Sequence, residues 1–469
     1  MQKSVLSEVI LSLSDKEIRE LNKWLNSPAH NHREDAVDLF DFLIKSKNLP
    51  EKEVIWKAIF PKEPFDDAFL RQVMYFLLKA IEDYLVFKEY KKEPVRPVLS
   101  LASIYRRRHL DKPYRQALET AKRKLTETPF RNSEYHFDKF NVEQEQYFYS
   151  AAAKSVGDMN LQLVSNELDM AFVANKLRIA CRMLSHQAID KKATYDIGLL
   201  EPMLKMVEEK SMLDEVGVAV YYYGYRAITD RNEPAHFENL TRILNEHSAS
   251  FPKPELRELY LLSINYCVSR INIGQEIFFS KAFDLYRKGF DLEVLVDEQD
   301  IVSKFIFTNT VYSAIKTKNY EWAESFIEKF SSRLEDKHRH STVQFNLSRL
   351  YYERNDYDKA QILLREFEYD DMLMNVVAKI MLLKIYYKTG EYDALESLIE
   401  AVRSYLQRKE VMSQSYKNVF KNIIMLMKKL LHLNTYSKPQ VEKFRKAVME
   451  TNPIQEQERE WFLQQINGK

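Results

Sequence analysis

His338 and His340, with Glu335 and Asp336 just before them, form the one cluster in this chain with metal-ligand chemistry. A zinc site needs three or four converging ligands. This run has no second ligand pair in sequence, so it reads as a solvated turn, and His30-Asn31-His32 reads the same way. The carboxylate pairs Asp66-Asp67 and Asp370-Asp371 have the types for acid-base work. Each precedes an apolar helical run, where a carboxylate caps a helix instead. The 8 glycines are isolated from one another, so no loop cradles phosphate, and no Gly-x-Ser-x-Gly elbow is present. Cys181 and Cys267 lie 86 residues apart in apolar stretches and form no disulfide framework. No catalysis, metal or cofactor is implied, although a site assembled from distant residues leaves no linear trace.

Binding chemistry is better represented. From Lys88 to Thr126 twelve Lys or Arg stand against four acids, a net +8, with Tyr90, Tyr105 and Tyr114 interleaved. The densest runs are Arg106, Arg107 and Arg108, then Lys122, Arg123 and Lys124. A basic stripe with aromatics can hold the phosphates of a nucleic acid. The whole chain, however, has 70 Lys plus Arg against 69 Asp plus Glu. With no global field toward nucleic acid or a membrane, the same stripe fits the wet face of two helices. Nucleic-acid association through residues 88 to 126 stands as the alternative reading.

The elements that position these groups must be helices. Average usage of roughly 7% would supply about 33 glycines, four times the number present, and strands joined by tight turns need them. No proline occurs between Glu255 and Lys438, which suits long helices. The longest apolar runs, such as Ile423 to Met427, are far short of the ~20 residues a spanning helix needs. No signal segment is legible at the amino terminus, and a cytoplasmic protein is expected.

Within the helical middle the chain repeats itself. Leu347, Tyr351, Asn355 and Tyr357 recur 35 residues later as Leu382, Tyr386, Gly390 and Tyr392, and an earlier copy, Asn319-Tyr320 with Ala323, sits 37 residues before Asp356-Tyr357 with Ala360. That is the period of a helix-turn-helix array. Second helices of further pairs are expected at Pro113-Tyr114, Ile197, Phe237 and Phe279. Leu161 to Ile189 reads as one helix of about eight turns. Tyr221, Tyr222, Tyr223 and Tyr225 point in several directions on a helix and read as core and wedge residues.

Residues 304 to 407 resemble tetratricopeptide repeats, through Phe345-Asn346-Leu347-Ser348, Tyr351-Tyr352, Asn355-Asp356-Tyr357 and Ala360. The whole chain is similar to uncharacterised bacterial tetratricopeptide-like proteins. The resemblance implies an all-α fold, a right-handed superhelix of antiparallel helix pairs, and no activity. It does not extend to the clamp by which some such repeats hold carboxyl-terminal peptides. Asn346 fits one clamp position, but Val377, Met381, Thr308 and Tyr312 stand at others.

The expected organisation is an N-terminal helical domain over 1–95, the superhelix over 96–435 and a cap over 436–469, with Gln455 to Glu460 giving the cap a polar outer face. In the first unit Ser14-Asp15-Lys16-Glu17 should cap a helix, and a stripe from Leu70 through Val73, Met74, Leu77, Leu78, Ile81, Leu85 and Val86 should form the centre. The register turns Tyr312, Lys316, Arg349, Tyr352, Lys384, Tyr387 and Lys388 toward the concave side. So lined, the groove should take a protein or peptide partner with acidic or aromatic residues. As surface changes, Arg349, Lys384 and Lys388 to Ser would leave folding nearly intact. Tyr352 and Tyr387 could equally shield the seam between repeats.

Overall fold

The computed structural model describes residues 4–46, 50–152, 159–190, 192–365, 372–408 and 414–466. It is 79% helical, and its 23 α-helices pack in adjacent pairs with no strand among the described residues. No helix among them is long and apolar enough to cross a membrane. The chain divides into two compact units, Met1–Phe172 and Val173–Lys469.

The first unit holds α1 (Val5–Ser12), α2 (Asp15–Leu25), α3 (Glu34–Lys45), α4 (Lys52–Ile59), α5 (Asp67–Lys92), α6 (Arg96–Arg107), α7 (Asp111–Glu127) and α8 (Ser133–Ala152). Ser14 starts α2 with a capping box: its backbone N–H and hydroxyl donate to Glu17 Oε2 at 2.9 and 2.7 Å, and its Oγ accepts from the Glu17 N–H at 3.3 Å. Asp66 caps α5 by accepting from the N–H groups of Ala68 and Phe69. Its neighbour Asp67 pairs with Lys52 and Arg71. Asp370-Asp371 lies outside the described residues. The α5 stripe is buried through Leu70, Val73, Met74, Leu77 and Ile81, but Val86 is 69% exposed. Five residues beyond Ile81, it has rotated off the buried face.

The second unit opens inside α9 (Leu161–Ile189), the single long helix the sequence indicates, and continues through α10 (Leu200–Glu209), α11 (Val216–Thr229), α12 (Pro234–Glu246), α13 (Lys253–Ile271) and α14 (Ile277–Asp291). Then come α15 (Lys304–Lys316), α16 (Tyr320–Phe330), α17 (Asp336–Glu353), α18 (Tyr357–Arg365), α19 (Met372–Thr389), α20 (Tyr392–Arg408), α21 (Gln414–Leu431), α22 (Lys438–Glu450) and α23 (Glu456–Gln464). Ile197 does not begin a helix: α10 starts at Leu200, after Leu199 in the left-handed conformation.

The repeat seen in sequence is a repeat of turn chemistry. Lys318, Asn355 and Gly390 have φ of 61°, 60° and 77° at the ends of α15, α17 and α19. In each case the N–H of the next residue donates to a carbonyl five residues back: Asn319 to Ala314, Asp356 to Tyr351 and Glu391 to Tyr386, at 2.8 to 2.9 Å. That bond satisfies a carbonyl the helix end leaves open, and it requires the left-handed residue, which explains Asn and Gly at that position. The chain is thereby reversed so that Ala323 and Ala360, both 0% exposed, lie where the second helix crosses the first. Tyr221, Tyr222 and Tyr225 are buried core residues, with the Tyr221 and Tyr222 hydroxyls donating to Glu255 and Glu208.

Candidate functional site

The first helices α15, α17 and α19 lie side by side and carry all seven of the residues that the repeat register selects. Tyr312 and Lys316 come from α15, Arg349 and Tyr352 from α17, and Lys384, Tyr387 and Lys388 from α19. Four of the seven, Tyr312, Tyr352, Lys384 and Tyr387, meet one feature: α23, folded back across these helices. The Tyr312 hydroxyl donates to Gln457 Oε1 at 2.9 Å. Lys384 Nζ sits 2.8 Å from Glu458 Oε1 and 2.7 Å from Oε2. Trp461 packs edge-on to Tyr387, with ring centroids 6.0 Å apart, has its ring centre 5.2 Å from Lys384 Nζ, and stands beside the Tyr352 phenol. Burial raises the Tyr352 and Tyr387 phenols, so both stay neutral. Lys388 is exposed at the rim.

Arg349 is placed differently. Its guanidinium stacks 4.4 Å from the Tyr312 ring centre and 4.8 Å from that of Phe345, while Lys316 Nζ lies 5.6 Å from the same Tyr312 ring. Neither cation has a carboxylate within 4.0 Å among the described residues. Burial lowers the Arg349 pKa, opposed by Tyr312 and Glu353. Asn346 is fully buried and spends its amide N–H groups on Thr308 Oγ1 and the Thr342 carbonyl.

α23 is positioned by its own sequence. Phe462 and Ile466 join a core that includes Phe444 and Val448. Arg459 donates to the carbonyls of Val448, Met449 and Thr451 just below, tying α23 to the end of α22. Two expectations are corrected here. The stretch from Gln455 to Glu460 is not wholly a polar outer face, because Glu458 turns inward to Lys384, which is only 9% exposed. For the same reason Lys384 is not a surface residue, and replacing it would not leave folding nearly intact. Gln457, Glu458 and Trp461 belong to the site and were missed. The three-residue spacing of Glu458 and Trp461, which puts acid and aromatic on one helix face, was the available signal.

In the first unit four of the twelve cations of the basic segment pair with acids outside its own run. Lys88 reaches Glu17 and Glu20, Arg96 reaches Asp138, and Arg123 reaches Glu127. Arg106 forms a two-point pair with Glu145 at 2.7 and 3.2 Å, the acid being 7% exposed. Lys122 donates to Gln146, and Arg107 to the Ser103 carbonyl. Arg107, Arg108 and Lys124 have no carboxylate within 4.0 Å among the described residues.

His338 and His340 lie in the first two turns of α17, not in a turn between helices, because Asp336 already begins the helix. Among the described residues no group of three or more His, Cys, Asp or Glu could hold a metal ion. Both cysteines are free and buried, and burial pushes each thiol up to about 12.

Fold and site define an all-α protein of paired helices in which α15, α17 and α19 carry an aromatic and basic set of side chains under α23. No protein-family model matches the chain, and no curated protein matches it.

Proposed function

We propose that this chain is a non-catalytic protein- or peptide-binding scaffold, a tetratricopeptide-like superhelix that takes its partner in the groove of α15, α17 and α19. One observation carries the reading. Tyr312, Tyr352, Lys384 and Tyr387 together hold a short helix bearing glutamate and tryptophan, namely α23. Side chains that do this within one chain have the chemistry to do it for another: a shielded ammonium for a carboxylate, and phenol rings for an aromatic. No cofactor is part of this function.

A photo-crosslinking residue at Lys316 or Lys388, on the groove side, or at Glu321, exposed on the second helix α16, tests it in extract of the source cells. The groove positions should crosslink one common protein that Glu321 does not. Equal crosslinking from Glu321 would place the binding face elsewhere.

A further inference from the structure

This inference rests on the groove reading above and concerns the chemistry of the partner. α23 matches its seat at two points and fails at a third. Glu458 meets Lys384, and Trp461 meets Tyr387 and Tyr352. Gln457, a neutral amide, meets Tyr312, on whose ring Arg349 stacks and beside which Lys316 stands. The groove therefore has two cations at the Gln457 end and, among the described residues, no carboxylate within 4.0 Å to pair with them.

Glu353, on the same helix as Arg349, acts on it only at longer range than an ion pair. A guanidinium held between rings has lost part of its hydration, and a carboxylate is the group that restores the loss, through two parallel hydrogen bonds. A carboxylate at the Gln457 position would arrive at that place. α23 itself has 9 residues, too few to be a stable helix in water without its seat. The pairs α15·α16, α17·α18 and α19·α20 pack on one another without α23 between their helices, so α23 can open locally while they stay stacked.

We propose that α23 is a resident ligand displaced by an amphipathic helix of a partner protein. The partner keeps a carboxylate at the place of Glu458 and an aromatic at that of Trp461, and carries a second carboxylate where this chain has Gln457. The neutral Gln457 keeps the resident helix weaker than the incoming one.

Two fluorescein-labelled peptides of residues 455–466, one of native sequence and one with Gln457→Glu, test this by anisotropy titration against the full chain. Hydrogen exchange over residues 456–464 of the chain is followed in parallel, the label separating peptide from protein by mass. The Gln457→Glu peptide should bind about tenfold more tightly, the worth of one charged hydrogen bond. It should also deprotect the chain's own α23, and its advantage should vanish in Arg349→Gln. Equal binding of the two peptides, an advantage that survives Arg349→Gln, or binding with α23 still protected would each overturn the proposal. If neither peptide binds the wild-type chain, the titration is repeated on Glu458→Lys, in which Lys384 repels α23. Binding there with the Arg349-dependent preference supports the proposal. Binding without the preference overturns it and leaves the groove reading standing, and no binding there overturns both.

Discussion

Lys384 and Glu458, 74 residues apart in sequence, meet as an ion pair whose side chains are 11% and 17% exposed. Taking either charge away leaves the other shielded from water without a partner. Lys384→Met or Glu458→Gln should each cost roughly 2 to 3 kcal/mol, somewhat under the range for a fully buried pair. The double variant should recover much of that loss, because no lone charge remains. Chemical denaturation of the four chains checks this, and additive losses would show that the pair is not coupled.

The helical class and the hairpin positions were legible because local rules set them. Glycine scarcity, the proline-free stretch and the Asn355 to Gly390 recurrence all report on backbone geometry within one turn. The register that selected Tyr312, Tyr352, Lys384 and Tyr387 follows from the same turns. What covers those residues was not legible, since Tyr312 and Gln457 are 145 residues apart and no local pattern encodes such a contact. Pairing of Arg106 with Glu145, 39 residues on, was hidden for the same reason.

That pair separates the three neighbouring arginines. Arg106→Gln strands the buried Glu145 and should destabilise the first unit by about 2 kcal/mol. Arg107→Gln and Arg108→Gln, on exposed side chains, should stay within about 0.5 kcal/mol. Thermal melts of the three single variants measure the difference. A similar small effect in all three would mean the Arg106 pair contributes nothing, and any nucleic-acid binding lost with Arg106 could then be assigned to a phosphate contact.

Ala360 is 0% exposed at the crossing of α17 and α18. Arginine there must both overpack the crossing and bury an unpaired charge, so Ala360→Arg should cost roughly 3 kcal/mol or more. Unchanged melting would show that the crossing is looser than its burial indicates.

Glu17 is held down at about 2, from 4.5, first by the backbone N–H of Ser14, then by its hydroxyl, with Lys88 adding to both. A depressed carboxyl stabilises the fold above its unfolded value and loses that contribution as pH falls through the folded one. The window here is pH 4.5 down to about 2. Ser14→Ala removes the hydroxyl half of the capping box and should cost about 1 kcal/mol at pH 7. The melting difference between Ser14→Ala and wild type should shrink on acidification from pH 5 to 3. A difference constant with pH would mean that the cap acts without the Glu17 charge.

Cys181 and Cys267 stay protonated because burial raises both thiols from 9.0 to about 12. The thiolate is the reactive form. A disulfide dye at pH 8 should therefore label neither cysteine in the folded chain and both after denaturation. The sign at high pH follows from the same shift: above pH 9 the unfolded chain loses its thiol protons while the folded chain keeps them. Unfolding is thus increasingly favoured from pH 9 to about 12. Cys181→Ala with Cys267→Ala should flatten part of the fall in melting temperature across that interval, the rest belonging to buried tyrosines such as Tyr221 and Tyr286, whose phenols burial also raises. Rapid labelling of either thiol in the folded chain would show that α9 or α13 opens locally at neutral pH, and an alkaline slope untouched by the double substitution would assign the whole effect to the phenols.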